Sequence, residues 1–306
     1  MRHDFSDIPA YSNWKTIEPI TKGWGNDLKY FIQNHQGEKY LLRISEKAAL
    51  AKEAEEYAAL AKLEDPHLLS SKLISSGHCH QGERTFRLFS WVDGIEILEL
   101  LPNLSVERQY ELGFQAGRNL SLIHQIPAPL DQKPWAEYFN QKIDRNIRRY
   151  EESDLQAEQV GQIIQFIEGH RHFLEGRPQT FQHGDYHLGN MLLNPAGKLA
   201  IIDYNRLDFG DPWEEFNRLP WTAMESEAFA NGLIHAYFQE GIPSLFFPLM
   251  ALYIASNQMG SLTWALAYGE KELRVAQNQY QKVLGWYQNF SETTPSWFIP
   301  KNKMPS

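Results

Sequence analysis

The sequence predicts an α+β chain in two parts, a β-rich segment over residues 1–92 and a mainly helical segment over residues 93–306. Three observations carry this reading. In the first part, short apolar runs such as Tyr30-Phe31-Ile32 and Tyr40-Leu41-Leu42 alternate with Gly, Asn and Asp turns, the rhythm of strands and hairpins. In the second part, long stretches set apolar residues three and four positions apart, as amphipathic helices do. That helical rhythm is interrupted between Thr180 and Asp211 by two strand-like runs around a turn.

Taken in order, Ile17 to Leu28 encloses Lys22-Gly23-Trp24-Gly25-Asn26-Asp27, and two apolar strands then flank a polar turn at Asn34 to Glu38. The expected order is strand, glycine turn, strand, turn, strand. Gly23 and Gly25 would let backbone N–H groups approach phosphate oxygens. A plain hairpin turn is the simpler account of a lone G-x-G. Arg43 lies between Leu42 and Ile44. A cation inside an apolar strand needs a partner, unless alternation turns it to solvent.

Residues 48–64 are rich in Ala, Leu, Lys and Glu and read as a helix. Leu50, Ala54, Tyr57, Leu60 and Ala61 form one apolar stripe. Glu53 falls within the span of that stripe, so it is the first choice as partner of Arg43. Glu56 is the second choice, and Glu55 points away. Pro66 closes the helix. Leu73-Ile74 and Thr85 to Val92 read as two further strands around a turn at Gly77 to Gly82, leaving through Asp93-Gly94.

In the second part, Ser105 is positioned as the N-cap of a helix running to His124. Gly113 and Gly117 share one face of it, which suggests close helix packing. Residues 135–150 form a helix whose Lys142, Arg145, Arg148 and Arg149 read as a solvated face. Further helices are expected over 160–174, 226–239, 244–267 and 270–289. Most of the tryptophans and tyrosines among them read as core, with some available to line a pocket.

Composition bounds the function. The chain has 306 residues and 42% apolar residues, enough for a sizeable core. Its net charge of −9 argues against general nucleic-acid binding. Cys79 is the single cysteine, so no intramolecular disulfide forms. The first residues carry no apolar signal-like run, and the apolar stretch near Leu245 to Ala255 is too short to span a bilayer. The expectation is a cytoplasmic protein without membrane partners, and nothing in the sequence sets an oligomeric state.

The chemistry concentrates in Thr180 to Asp211, TFQHGDYHLGNMLLNPAGKLAIIDYNRLDFGD. An apolar lead-in ends at His183-Gly184-Asp185, and Asn190 follows five positions later. Asn194-Pro195-Ala196-Gly197 makes a turn, and the apolar run Leu199 to Ile202 delivers Asp203. Two carboxylates and an amide in this layout suit phosphoryl transfer: one carboxylate orients an acceptor hydroxyl, and the other groups hold Mg²⁺, which takes hard oxygen ligands. The spacing of Asp185 and Asn190 matches the kinase loop H-R-D-x-x-x-x-N, and the later strand Asp matches D-F-G. His183 and His187 share no helical face, because Gly184 and Gly189 argue against a helix, so they read as supporting groups rather than metal ligands.

The form H-G-D-Y-H-L-G-N, then I-I-D, then G-D-P-W-E-E resembles the aminoglycoside phosphotransferase family of small-molecule kinases. The likeness covers nearly the whole chain and implies a two-lobed, protein-kinase-like α+β fold with a β-rich N-lobe and a mainly helical C-lobe. It implies Asp185 as the catalytic residue and Asn190 and Asp203 as Mg²⁺ ligands. Gly23, Gly25 and Arg43 would hold the triphosphate of ATP, with GTP as the alternative nucleotide. Many members of the family carry Arg where protein kinases carry Lys; Glu53 would complete that pair. The hinge would fall at Ser90 to Gly94, with the Ser90 C=O and Val92 N–H facing the adenine edge; a plain strand exit reads the same residues. Asp211 and Glu215 would order the segment beside Asp203.

The sequence departs from protein kinases at Arg43, at His183-Gly184-Asp185 and at Asp203-Tyr204-Asn205, and it has no A-P-E segment. These departures favour a small-molecule hydroxyl acceptor over a protein. A catalytically silent nucleotide-binding protein and a kinase of a neutral metabolite or of a protein are the other readings. Between Leu207 and Glu272, nine acids face only Arg218 and Lys271. If that segment borders the acceptor, as the resemblance implies, a cationic acceptor such as an aminoglycoside-like antibiotic or an amino alcohol is favoured.

Overall fold

The computed structural model describes residues 5–22, 27–46, 50–61, 63, 65, 68–204 and 206–303, with the backbone alone over 51–56. In chain order the elements begin with β1 (Trp14–Ile20), β2 (Leu28–Asn34), β3 (Lys39–Glu46), α1 (Leu50–Ala61), β4 (Leu69–Ser70), β5 (Leu73–Cys79), β6 (Arg84–Ser90) and β7 (Ile95–Glu96). They continue with α2 (Ile97–Leu100), α3 (Val106–Ile123), α4 (Trp135–Glu151), α5 (Val160–His170), β8 (Thr180–Gln182), β9 (Met191–Leu193) and β10 (Leu199–Ile201). The last are β11 (Asp208–Gly210), α6 (Leu219–Glu225), α7 (Glu227–Tyr237), α8 (Phe246–Tyr268) and α9 (Glu270–Trp286).

The chain divides into two compact units. The first holds residues 1–95 and 192–203, and the second holds 96–191 and 204–306. In the first unit a five-stranded sheet runs in the order β1-β2-β3-β6-β5, with antiparallel neighbours. Residues opposite one another across such strands share a face. Tyr30, Leu42 and Leu88 form one row, and Leu28, Ile44 and Phe86 another. These rows close a core with Phe5, Ile8, Trp14, Ile32 and Cys79. Apolar burial of this kind stabilises by about 25 cal/mol per Å² removed from water. The alternate rows put Lys29, Arg43 and Arg87 on the other face, together with Phe31, Leu41 and Phe89.

β5 is longer than its sequence suggests. Gly77 lies inside the strand opposite Phe86, and the reversal falls at His80–Gly82. A Cβ on Gly77 would meet the Phe86 ring at 2.9 Å, so this glycine makes room for an aromatic neighbour rather than for a turn. The turn at Asn194 to Gly197 joins β9 to β10 as expected, and β10 pairs in parallel with β4.

The second unit is built on helices. The Ser105 hydroxyl accepts from the Arg108 N–H at 3.3 Å and caps α3. A Cβ at Gly113 would meet the Phe229 carbonyl oxygen at 2.0 Å, and one at Gly117 the Leu233 oxygen at 2.1 Å. Backbone of α3 therefore lies directly on backbone of α7, which only glycine permits. α8 is buried around most of its circumference, as expected for a helix that is apolar all round. β8 and β11 pair antiparallel in this unit, with Gln182 opposite Asp208.

Candidate active site

In the first unit, the central row of the polar sheet face brings charge together. Arg43 is only 5% exposed, so strand alternation does not place it in solvent. Its Nη1 donates to Asp203 Oδ1 at 2.6 Å, and its Nη2 to Asp27 Oδ2 at 3.0 Å. Its neighbour Arg87 donates to the Ser45 hydroxyl. Across the other strand stands Lys29. Burial first, and then the Arg43 charge, lower the proton affinity of its ammonium against the pull of Asp203 and Asp27. Asp203 follows β10 with φ at +68°, a left-handed conformation uncommon outside glycine. Such strain concentrates at functional sites.

The expectations on Gly23 and Gly25, and the side chain of Glu53, lie outside the described residues. Among the described residues Arg43 is held by Asp203 and Asp27, two partners that sequence reasoning did not pair with it. Ser90 ends β6; its N–H donates to the Lys72 carbonyl and its hydroxyl accepts from the Lys72 N–H, both at 2.8 Å. Val92 lies just beyond, before the Lys39–Asp93 ion pair at 2.7 Å.

In the second unit, β8 leads into a loop that is fixed from below. The buried Glu215 carboxylate accepts the His183 N–H at 2.7 Å and the Gly184 N–H at 2.9 Å. Burial works against its charge, but contacts with His124 and His183 and the backbone N–H hold its carboxyl below the ordinary range. Gly184 has φ at +78°, and a Cβ there would meet the Arg206 carbonyl oxygen at 2.1 Å. Only glycine suits this position. Asp211, fully buried, takes two bonds from Arg177, at 2.6 and 3.0 Å, and one from the Tyr253 hydroxyl at 2.6 Å. Thus Asp211 and Glu215 act on Arg177 and on the His183-Gly184 backbone.

Asp185 emerges from this loop with its side chain 23% exposed. Three cationic or protonatable groups surround Oδ1: Arg218 Nε at 3.2 Å, Arg206 Nη1 at 3.7 Å and His187 Nε2 at 3.7 Å. Burial penalises the charged form, but His187 and the two guanidinium groups outweigh it and hold the carboxyl well below the usual carboxylate range. The Gly189 N–H donates to His187 Nδ1 at 3.1 Å. That bond leaves the neutral ring its proton on Nε2, the nitrogen facing Asp185. The Asn190 amide donates to the Asp185 carbonyl oxygen at 2.9 Å. Its N–H is thereby engaged, and Oδ1 remains as the acceptor.

Sequence reasoning missed Arg206 and Arg218 as neighbours of Asp185. Arg218 was visible only as a rare cation in an acidic stretch. No group of three or more His, Cys, Asp or Glu side chains able to hold a metal ion occurs among the described residues. Mg²⁺ needs no such cage, since it is commonly held by one or two protein oxygens together with phosphate and water. Asp203 in the first unit and Asn190 in the second each carry a hard oxygen of that type.

A family model described as the phosphotransferase enzyme family matches residues 16–246, and the chain belongs to that family. It is a small-molecule kinase of kinase-like aminoglycoside phosphotransferase fold. Among solved structures, a thermostable mutant of aminoglycoside phosphotransferase APH(4)-Ia, in ternary complex with ADP and hygromycin B, is similar at TM-score 0.67 and 16% identity, covering 93% of this chain and 97% of that one. The GDP complex of wild-type aminoglycoside 2'-phosphotransferase-IIIa matches at TM-score 0.66 and 15% identity, covering 91% and 94%. The streptomycin–ATP–APH(2")-IIa ternary complex matches at TM-score 0.64 and 16% identity, covering 92% and 97%. No protein among curated sequences matches the chain.

Proposed function

We propose that this kinase transfers the γ-phosphoryl group of ATP to a hydroxyl of a small, amine-bearing molecule, with Mg²⁺ as cofactor. The observation that carries the reading is the Asp185 carboxylate, held ionised on a loop whose backbone is fixed by Glu215 and whose carbonyl is tied to Asn190. Asp185 orients the acceptor hydroxyl and receives its proton as the bond to phosphorus forms. Gly23, Gly25 and Arg43 hold the triphosphate, with Glu53 in support, and the Ser90 C=O and Val92 N–H receive the adenine edge. Asn190 Oδ1 and the Asp203 carboxylate are the Mg²⁺ ligands. When bound, the ion offsets charge on the phosphate oxygens. Residues 1–92 serve as the nucleotide lobe and 93–306 as the catalytic and acceptor lobe.

The amine on the acceptor is supported by the ligands of like-folded enzymes, hygromycin B and streptomycin. It is also supported by the acidic segment, though less than the sequence count implied. Asp211, Glu214 and Glu215 are buried and engaged, by Arg177, by Lys142 and by backbone N–H groups. Asp208, half-buried on β11 beside the strand that leads to Asp185, is the best placed of the remainder.

ATP turnover, followed as ADP release, should be measured across aminoglycosides, macrolides, choline, amino alcohols and neutral sugars, with and without EDTA. The reading expects Mg²⁺-dependent turnover with an amine-bearing hydroxyl compound as the best acceptor. A neutral sugar as best substrate would overturn the acceptor class, and phosphate transfer to none of them would overturn the small-hydroxyl reading.

A further inference from the structure

Lys29, Arg43 and Arg87 stand directly opposite one another on β2, β3 and β6, three cations in one row on one sheet face. Like charges placed directly across strands destabilise a sheet. The opposite face cannot relieve them, because it is filled by Tyr30, Ile32, Leu42, Ile44 and Leu88. Two members of the row have partners: Arg43 takes Asp203 and Asp27, and Arg87 takes Ser45. The half-buried Lys29 ammonium makes no hydrogen bond or ion pair among the described residues. Lys29 is therefore open to an added anion.

We propose that Lys29 is a second phosphate-binding cation that grips a polyphosphate chain alongside Arg43. The inference rests on the nucleotide reading above and adds to it a residue that neither the motif nor the family pattern supplied. Lys29 is two residues past Asp27, at the start of the strand that follows the glycine pair, and its register fixes it beside the Arg43 guanidinium. Each added phosphate on a ligand brings charge to the row, so the Lys29 contribution grows from mono- to triphosphate. A lysine kept there for packing alone would show no such dependence.

The test is calorimetric binding of ATP, GTP, AMP and inorganic tripolyphosphate to the full chain, as wild type, Lys29→Gln and Lys29→Arg. Loss of one charge-assisted contact should weaken ATP and tripolyphosphate binding by about tenfold in Lys29→Gln. AMP binding should change much less, and Lys29→Arg should restore affinity. The melting temperature of Lys29→Gln should hold or rise, because repulsion from Arg43 is relieved. ATP binding by Lys29→Gln equal to wild type overturns the role of Lys29 while leaving the nucleotide reading intact. Wild-type protein that binds tripolyphosphate but neither ATP nor GTP supports the anion row and overturns the nucleotide reading. Wild-type protein that binds none of the four overturns both.

Discussion

Arg43 Nη1 and Asp203 Oδ1 lie 2.6 Å apart although 160 positions separate them in the chain. The pair joins the middle strand of the sheet to a residue two positions past β10, and it holds a non-glycine residue at positive φ. Removing Arg43 leaves two carboxylates near each other without their shared cation. Buried pairs broken in this way cost about 3–5 kcal/mol. Asp27 and Asp203 keep 27% and 31% side-chain exposure, so water takes up part of the loss. Arg43→Ala should therefore cost about 2 kcal/mol of stability, read from denaturant unfolding without nucleotide. A double-mutant cycle with Asp203→Ala should show positive coupling. Strict additivity would mean that the contact contributes nothing in solution.

Asp185→Asn should keep nucleotide affinity and lower kcat roughly 10²–10⁴-fold. The charges around Asp185 predict its pH behaviour as well. A carboxyl held well below its usual range stays ionised from pH 5 to 8, so wild-type kcat/KM should show no acid limb from this group. Arg218→Ala removes an attractive charge and leaves burial to push the carboxyl up. His187 and Arg206 still hold it down, so the carboxyl should rise toward its ordinary range without nearing neutrality, a change read by NMR titration of the Asp185 carboxyl. The linkage has the same sign: a depressed carboxyl contributes stability that is present above its unfolded value of about 3.9 and lost as pH falls toward the folded one. Stability lost in Arg218→Ala should accordingly be full at pH 7. An Asp185 titration unchanged in this variant would detach Arg218 from Asp185.

Gly184→Ala should damage the loop by two routes. Its φ of +78° is strained for any side chain, and the new Cβ would press on the Arg206 carbonyl at 2.1 Å. The two together should cost more than about 1 kcal/mol and displace Asp185. The expected outcome is a large fall in kcat with little change in nucleotide affinity. Glu215→Gln offers a milder version, because the amide has one acceptor oxygen for the two N–H groups that Glu215 now serves. It should lower stability by about 1–3 kcal/mol. Wild-type kcat in both variants would show that the loop position does not govern Asp185.

The parts of this molecule legible in its sequence are those with local physical causes. The motif from His183 to Asp203 is visible because spacing, turn chemistry and a strand end coincide within a short stretch. Gly113 and Gly117 announce a close helix contact because small residues four apart fall on one face. Arg43 is visible as a cation in an apolar strand. Asp27 and Asp203 as its partners are not, since Asp203 reaches it only through the tertiary fold. Arg206 and Arg218 carry no periodic signal; the turn after Asp203 and the short helical stretch Glu214–Arg218 bring them to Asp185. β8 and β11 have three residues each, too few for alternation to show.

The last prediction concerns how an amine on the acceptor would be held. Asp208 lies opposite Gln182, the residue before His183, and is half-buried. Its Oδ1 accepts its neighbour's Phe209 N–H at 2.9 Å, and the Tyr138 hydroxyl stands 3.5 Å from Oδ2. Oδ2 thus has only a long contact on its open side and can accept from an ammonium group. Asp208→Asn keeps the shape and removes the charge. For an amine-bearing acceptor it should raise KM about tenfold, as expected for one charge-assisted contact, with kcat nearly unchanged. A neutral acceptor should not notice the change. Added salt should raise the wild-type KM for the amine, since exposed charges are screened beyond about 8 Å at physiological ionic strength. The same salt should have little effect on Asp208→Asn. Equal KM values for the amine-bearing acceptor in wild type and Asp208→Asn would leave Asp208 as part of a solvated surface and move the search for the amine site elsewhere in the second unit.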